Sequence, residues 1–358
     1  MSNCKKKIIA YFDDFTLNKE EGDSKSKTRW QYEKERKKER KNVKIQFLRG
    51  LSIMAVVMIH TCPGGYWQVV CRPFINFAVA LFLFLSGYLT NVDTDNWGAL
   101  FKKRILRVAI PYIIWTIIYT IPSFSFFQLL KNLVTSNAAA TLYYILVYIQ
   151  FVLLTPLLGR LAKSRLQWIG WLVSPISIII FNYTGLVTGE PLSPVVSLIW
   201  GKSCLGWFTF YYLGLLLGNN LISKTLNVKA LIILYLISLP IQIAEGYVWL
   251  LQGISNCGTQ IKLSSLLTSS LFLLISYCYL KNDKIQFAPK AFTFSGDYSF
   301  GVYLSHILVI IILRHFCPFY SSLPFILNSA VVLSISLFGV YLGNRICGHK
   351  LSRWLGFA

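Results

Sequence analysis

Ten times between residues 45 and 345 the chain presents an apolar window close to 20 residues long, and this recurrence limits the possible folds more than any motif does. The windows are 45–62, 72–91, 104–122, 139–158, 168–184, 203–220, 229–250, 262–281, 297–314 and 324–345. A helix rises about 1.5 Å per residue, so such a window spans a hydrocarbon layer roughly 30 Å thick. In lipid the backbone must satisfy its own hydrogen bonds, and a helix does so within one segment. The expected fold is therefore all-α: a polytopic membrane helix bundle of about ten transmembrane helices. Window 168–184 contains Pro175 and is the one most open to a break.

The placement of charge agrees. Residues 1–44 hold 14 of the 35 Lys/Arg and 8 of the 14 Asp/Glu. Beyond them the only carboxylates are Asp93, Asp95, Glu190, Glu245, Asp283 and Asp297, too few to coat a soluble domain of that length. A net charge of +21 would point to nucleic acid in a soluble protein. Here the basic residues sit in short segments between apolar windows, so membrane lipid is the expected partner and nucleic acid is not. The apolar stretch Ile8–Phe12 is too short for a leader core and runs into Asp13 and Asp14, so the first window is expected to direct insertion.

Three regions follow: a charged, low-complexity tail (1–44), disordered or a loose helix; a membrane domain (45–346); and a short C-terminal tail (347–358). With ten crossings, one set of loops carries five basic residues, Arg72, Lys131, Lys202, Lys262 and Arg314, and the opposite set with the C-terminal tail carries fifteen. Positive residues gather on the cytoplasmic side of membrane proteins, so both termini are expected there. Cys62 and Cys71 bracket one short outer loop and are either a disulfide or two free thiols.

Polar side chains inside the windows point toward chemistry, because an ionisable group at membrane depth is costly unless paired or hydrated. The first window holds Arg49 and His60. Eleven residues at 100° each is three turns and about 20°, so the two share a face about 16 Å apart along the axis. A cation near the cytoplasm and an imidazole near the far side suit a long anionic donor that enters from inside. Alone, Arg49 reads as an arginine reaching for the interface and His60 as an interfacial histidine. The third window opens with Arg104 and Arg107 on one face, a pattern suited to phosphate and equally to an ordinary basic flank. Ser86, Gly87 and Tyr88 close the second window, where helix packing is the simpler reading. The ninth window carries Asp297, then Tyr303 and His306 three residues apart, with His306 near mid-depth; Glu245 lies in the seventh and is a candidate to orient a histidine.

Taken in order, these segments resemble the acyltransferase 3 family of integral-membrane O-acyltransferases. The resemblance rests on Arg49, ten residues and His60; LFLFLSGYL at 81–89; and Lys103-Arg104-x-x-Arg107 with Ile110-Pro111-Tyr112 and Trp115. It continues through Leu142-Tyr143-Tyr144 with Pro156, Phe210-Tyr211-Tyr212-Leu213-Gly214, and Tyr298-Ser299 to Tyr303-Leu304-Ser305-His306. It implies a membrane-embedded enzyme in the cell (plasma or inner) membrane. Such an enzyme moves an acyl group, usually acetyl from acetyl-CoA, to a hydroxyl of a surface polysaccharide or lipid-linked glycan. The form expected is the stand-alone one, without the hydrolase-like domain fused to many relatives. Arg49 and His60 map to the family's essential pair, and Arg104 and Arg107 to its basic pair.

The donor's phosphates are then expected on Arg49, Arg104 and Arg107, with His60 either a general base or a transient acyl carrier. Ser86, Tyr88, Glu245, Tyr303 and His306 are candidates to support these groups or to hold the acceptor. No metal is expected. The main rival is a secondary transporter or flippase of a glycan or lipid intermediate, which would place its polar groups at one midplane site. A haem carrier using His60 and His306 is disfavoured because the windows set those histidines at different depths.

Overall fold

The computed structural model describes residues 29–94, 96–190, 192–222 and 226–358. The expectation for the tail over residues 1–28 lies outside them. The chain divides into two units, residues 1–43 and 44–358. In the first, residues from Arg29 onward are helical. The second is the membrane domain, and all regular structure among its described residues is helical.

Helix α1 is Arg29–Thr61. Short α2 (Tyr66–Cys71) leads through a 3-10 turn at Arg72–Phe74 into α3 (Phe77–Tyr88). Then come α4 (Trp97–Thr120), α5 (Phe126–Thr135), α6 (Tyr143–Lys163) and α7 (Ile169–Ile178). A π-turn over Ile179–Tyr183 joins α7 to α8 (Thr184–Thr188), so the irregularity falls one turn beyond Pro175, which stays inside its helix. The chain continues as α9 (Pro194–Lys202), α10 (Phe208–Gly218), α11 (Val228–Leu251) and α12 (Leu263–Lys281). It finishes with α13 (Lys290–Asp297), α14 (Ser299–Phe316), α15 (Phe325–Ile346) and α16 (His349–Leu355).

Among the described residues nine helical segments have the length and apolar character to cross a membrane, where about ten were expected. The difference is window 203–220. It becomes a 3-10 turn (Leu205–Trp207) followed by α10, whose 11 residues rise about 16 Å, half a hydrocarbon layer. Every residue from Phe208 to Leu217 is buried. Hydropathy cannot separate a helix enclosed by protein from one enclosed by lipid, since both are apolar all round. What encloses α10 is contact with α3 through Gly214 and Gly218: a Cβ at either would meet the carbonyl oxygen of Phe84 or Tyr88 at 2.1 or 2.2 Å. Such small-xxx-small spacing lets two backbones touch.

Toward the exterior, α11 turns Ile232, Ile233, Leu234, Leu236, Ile237 and Ile241 outward. An apolar face of that size on a surface helix belongs in lipid, so this is a multi-pass membrane protein. Residues 347–358, expected as a short tail, include helix α16, with Ser352 fully buried.

Candidate functional site

At one end of the membrane domain a cavity of about 780 Å³ opens between α1, α3, α4, α6 and α14. Its walls include Arg49, Lys103, Arg104 and Arg107, with Asp297 as the one acidic side chain among the described lining residues. Ser86, Tyr144, Tyr148 and Tyr303 complete the polar part, and Phe82, Leu85, Val108 and Ile145 the apolar part. Four cationic side chains outnumber the acidic groups of the described lining and give the cavity a positive field, strengthened where water is displaced.

Local structure explains how these groups meet. Asn96 caps α4 by accepting from the Ala99 amide at 2.9 Å, which starts the helix so that Lys103, Arg104 and Arg107 fall in its second and third turns. Arg104 donates to Thr90 Oγ1 at 2.5 Å, just past α3, tying the two helices beside Ser86. Arg49 reaches the cavity because α1 and α13 touch backbone to backbone: a Cβ on Gly50 would sit 1.8 Å from the Phe292 carbonyl oxygen, and one on Gly296 1.9 Å from that of Gln46. That crossing brings Asp297, next to Gly296, within electrostatic reach of Arg49, as Arg107 and Tyr144 also are.

His60 does not line this cavity. It sits in the last turn of α1 with its ring centroid 5.3 Å from that of His306 on α14. This overturns the expected mismatch in depth. The Gly50 and Gly296 crossing raises the start of α14 to the level of the first turns of the α1 span. His306 lies ten residues beyond Gly296 and His60 fourteen beyond Gln46, so the two imidazoles become neighbours. His306 is wholly buried, and its Nδ1 is 2.9 Å from the Val302 carbonyl oxygen. A carbonyl only accepts, so that nitrogen carries the proton and the lone pair lies on Nε2. Nε2 is buried with no hydrogen-bond partner. An unpartnered lone pair beside a second imidazole can accept a proton or orient its neighbour.

Tyr303 connects the cavity to the histidines. One helical turn before His306, its ring centroid is 6.3 Å from that imidazole and 5.5 Å from Tyr144, edge to face, and its hydroxyl donates to the Thr141 carbonyl. The structure therefore brings together Arg49, Arg104, Arg107, Ser86 and Tyr303 at the cavity, and His60 with His306 just behind Tyr303.

Two other candidates lie elsewhere. Tyr88 is buried between Phe84 and Tyr277, at centroid distances of 5.9 and 6.3 Å, and does not line the cavity. Glu245 accepts hydrogen bonds from the Tyr183 hydroxyl and from the Ser264 amide and hydroxyl, in a cluster joining α11, α12 and the π-turn. The ionisable groups with an electrostatic influence on His60 are His306 and Arg72, and Glu245 is not among them.

Sequence reasoning also passed over groups. Arg72, counted only as a loop charge, donates to the Ile59 carbonyl at 3.3 Å and so lies against the last turn of α1. Tyr144 and Tyr148 enter the cavity one turn apart; the available signal was their i, i+4 spacing inside window 139–158. Cys62 and Cys71 are free thiols.

A family model described as an acyltransferase domain matches residues 42–345, from the first crossing through the last. No curated protein and no solved structure is detectably similar to the chain. The matched span holds the cavity's four cationic side chains and the histidine pair, so the enzyme class and this geometry refer to the same residues. The chain belongs to the acyltransferase 3 family of membrane-embedded acyltransferases.

Proposed function

We propose that this acyltransferase takes an acyl group, acetyl in the simplest case, from a coenzyme A thioester and passes it to a hydroxyl of a cell-surface polysaccharide or lipid-linked glycan. The observation that carries the reading is that the cationic cavity and the histidine pair lie on either side of Tyr303. Tyr303 lines the four-cation cavity, and its ring packs against His306, which adjoins His60. In this reading a donor with several phosphates and a long neutral arm sets its phosphates among the cavity's cations and extends the arm past Tyr303 toward the histidines. The mouth faces the cytoplasm, where acyl-CoA is made, and the membrane is the plasma or inner membrane.

In this scheme Arg49, Arg104 and Arg107 hold the phosphates through charge-assisted hydrogen bonds. The thioester then lies beyond Tyr303, beside His60. His60 removes the proton from the acceptor hydroxyl while the oxygen attacks the thioester carbonyl. The carbon–sulfur bond breaks, the thiolate leaves and takes the proton from the imidazolium, and the products are an ester and free coenzyme A. His306, its Nδ1–H fixed by Val302, holds the His60 ring in place. Full burial of His306 keeps bulk water from this end of the route, which limits thioester hydrolysis.

The test compares ester-linked acyl groups on surface glycans of cells producing wild type, His60→Ala or Arg49→Ala at matched membrane levels. Both variants are expected to lose the modification, and normal acylation by a stable His60→Ala protein would contradict the mechanism. Purified protein given radiolabelled acetyl-CoA without acceptor separates the two roles of His60. A general base retains no label, whereas an acyl carrier does.

A further inference from the structure

Residues 346–358 lie beyond the family match, yet they complete the cavity. Helix α16 ends at Gly356 in the left-handed conformation (φ 74°), with the Gly356 amide donating to the Arg353 carbonyl and the Phe357 amide to the Ser352 carbonyl at 2.8 Å. That reversal sends the last three residues back into the bundle. Gly356 and Ala358 line the cavity that holds Arg49, Arg104 and Arg107. Glycine is required at 356 for a second reason: a Cβ there would lie 2.8 Å from Leu304 and 3.0 Å from Phe300.

Between these two wall residues, Phe357 packs away from the cavity. Its ring fills a notch made by Gly301 of α14 and Gly343 of α15, where a Cβ would lie 3.0 and 2.6 Å from the ring. Its centroid is 6.4 Å from that of Trp115 on α4, and the Trp115 indole N–H donates to the Leu355 carbonyl at 3.0 Å. One aromatic side chain thus sits where α4, which carries two of the cavity's arginines, meets α14, which carries Tyr303 and His306.

We propose that Phe357 is a positioning residue for the donor: it seats Gly356–Ala358 as a wall of the cationic cavity and fixes the arginines of α4 relative to α14. It touches no reacting atom. Its effect is to hold the phosphate-binding groups in place before the ligand arrives, and such preorganisation appears as affinity. The ligand, though not the seating itself, rests on the coenzyme A reading above.

The experiment uses the full chain in lipid nanodiscs with coenzyme A as the probe and calorimetry as the readout. Phe357→Ala is expected to weaken binding about tenfold, and Phe357→Leu, which still fills the notch, about twofold. If the residue acts through the arginines, Phe357→Ala adds less than about twofold in an Arg104→Gln/Arg107→Gln background. Amide exchange over residues 104–115 is expected to speed up in Phe357→Ala, independently of any ligand. Unchanged exchange there overturns the seating. Unchanged affinity in a folded Phe357→Ala protein, or an equal loss in both backgrounds, overturns the link to phosphate binding. Wild type that binds no coenzyme A, with exchange accelerated as expected in the variant, removes the donor reading and leaves the seating intact.

Discussion

The two ends of the membrane domain treat charge in opposite ways. At the cavity end Arg49, Lys103, Arg104 and Arg107 face a common space with one acidic side chain among its described lining residues. At the other end Glu245 is enclosed by Tyr183 and Ser264, and Lys262, 1% exposed, donates to the carbonyls of Gln242 and Cys257. An ion whose hydrogen bonds are supplied by its own chain builds the fold. Like charges gathered around a space are held together against their mutual repulsion, and an anion entering that space relieves it. The histidine pair stands apart from both arrangements, with His306 fully buried and its Nε2 unpartnered.

Substitutions at each place test this division. His60→Ala is expected to lower turnover about a thousandfold, within the range that positioned acid–base groups supply, while coenzyme A binding by calorimetry stays unchanged. Arg107→Gln is expected to weaken coenzyme A binding roughly 10- to 100-fold, in keeping with the loss of one charged hydrogen-bonding group, with turnover at saturating donor far less affected. A Glu245→Leu protein should unfold more readily by about 2 kcal/mol in thermal denaturation, since Tyr183 and Ser264 lose their acceptor, with turnover per folded molecule held within about twofold. If Glu245→Leu instead abolishes turnover in folded protein, the contrast between the ends fails. The smallest effect is expected from Lys163→Ala. Its pair with Asp93 is exposed on both sides, and its loss should shift stability by less than about 0.5 kcal/mol.

Much of this was legible in the sequence, for identifiable reasons. Windows near 20 residues report lipid-spanning helices because hydrocarbon thickness sets their length. That Arg104 and Arg107 turn to one side could be read because helical periodicity places charge on one side of a rigid rod. The number of uninterrupted helices was less secure, since window 203–220 folds as a 3-10 turn and the short α10, packed on α3 through Gly214 and Gly218. Nor could the sequence give the meeting of His60 and His306. That depends on Gly50 and Gly296 bringing α1 and α13 into backbone contact, a long-range fact that local pattern does not carry. The wall formed by Gly356 and Ala358 was hidden likewise, because a short segment after the last span looks like a tail until its partners are known.

The central claim is that donor and catalytic groups share one route, entered at the arginines and ending at the histidines. Photo-crosslinking tests it most directly, using a coenzyme A thioester with a photoreactive acyl group, wild-type protein in nanodiscs and mapping of the labelled peptides. The account predicts label on α14 around Tyr303 and His306 and on the last turn of α1 around His60, competed away by acetyl-CoA and absent in Arg104→Gln/Arg107→Gln. Competable label on α11 or α12 near Glu245, with none on α1 or α14, would contradict it.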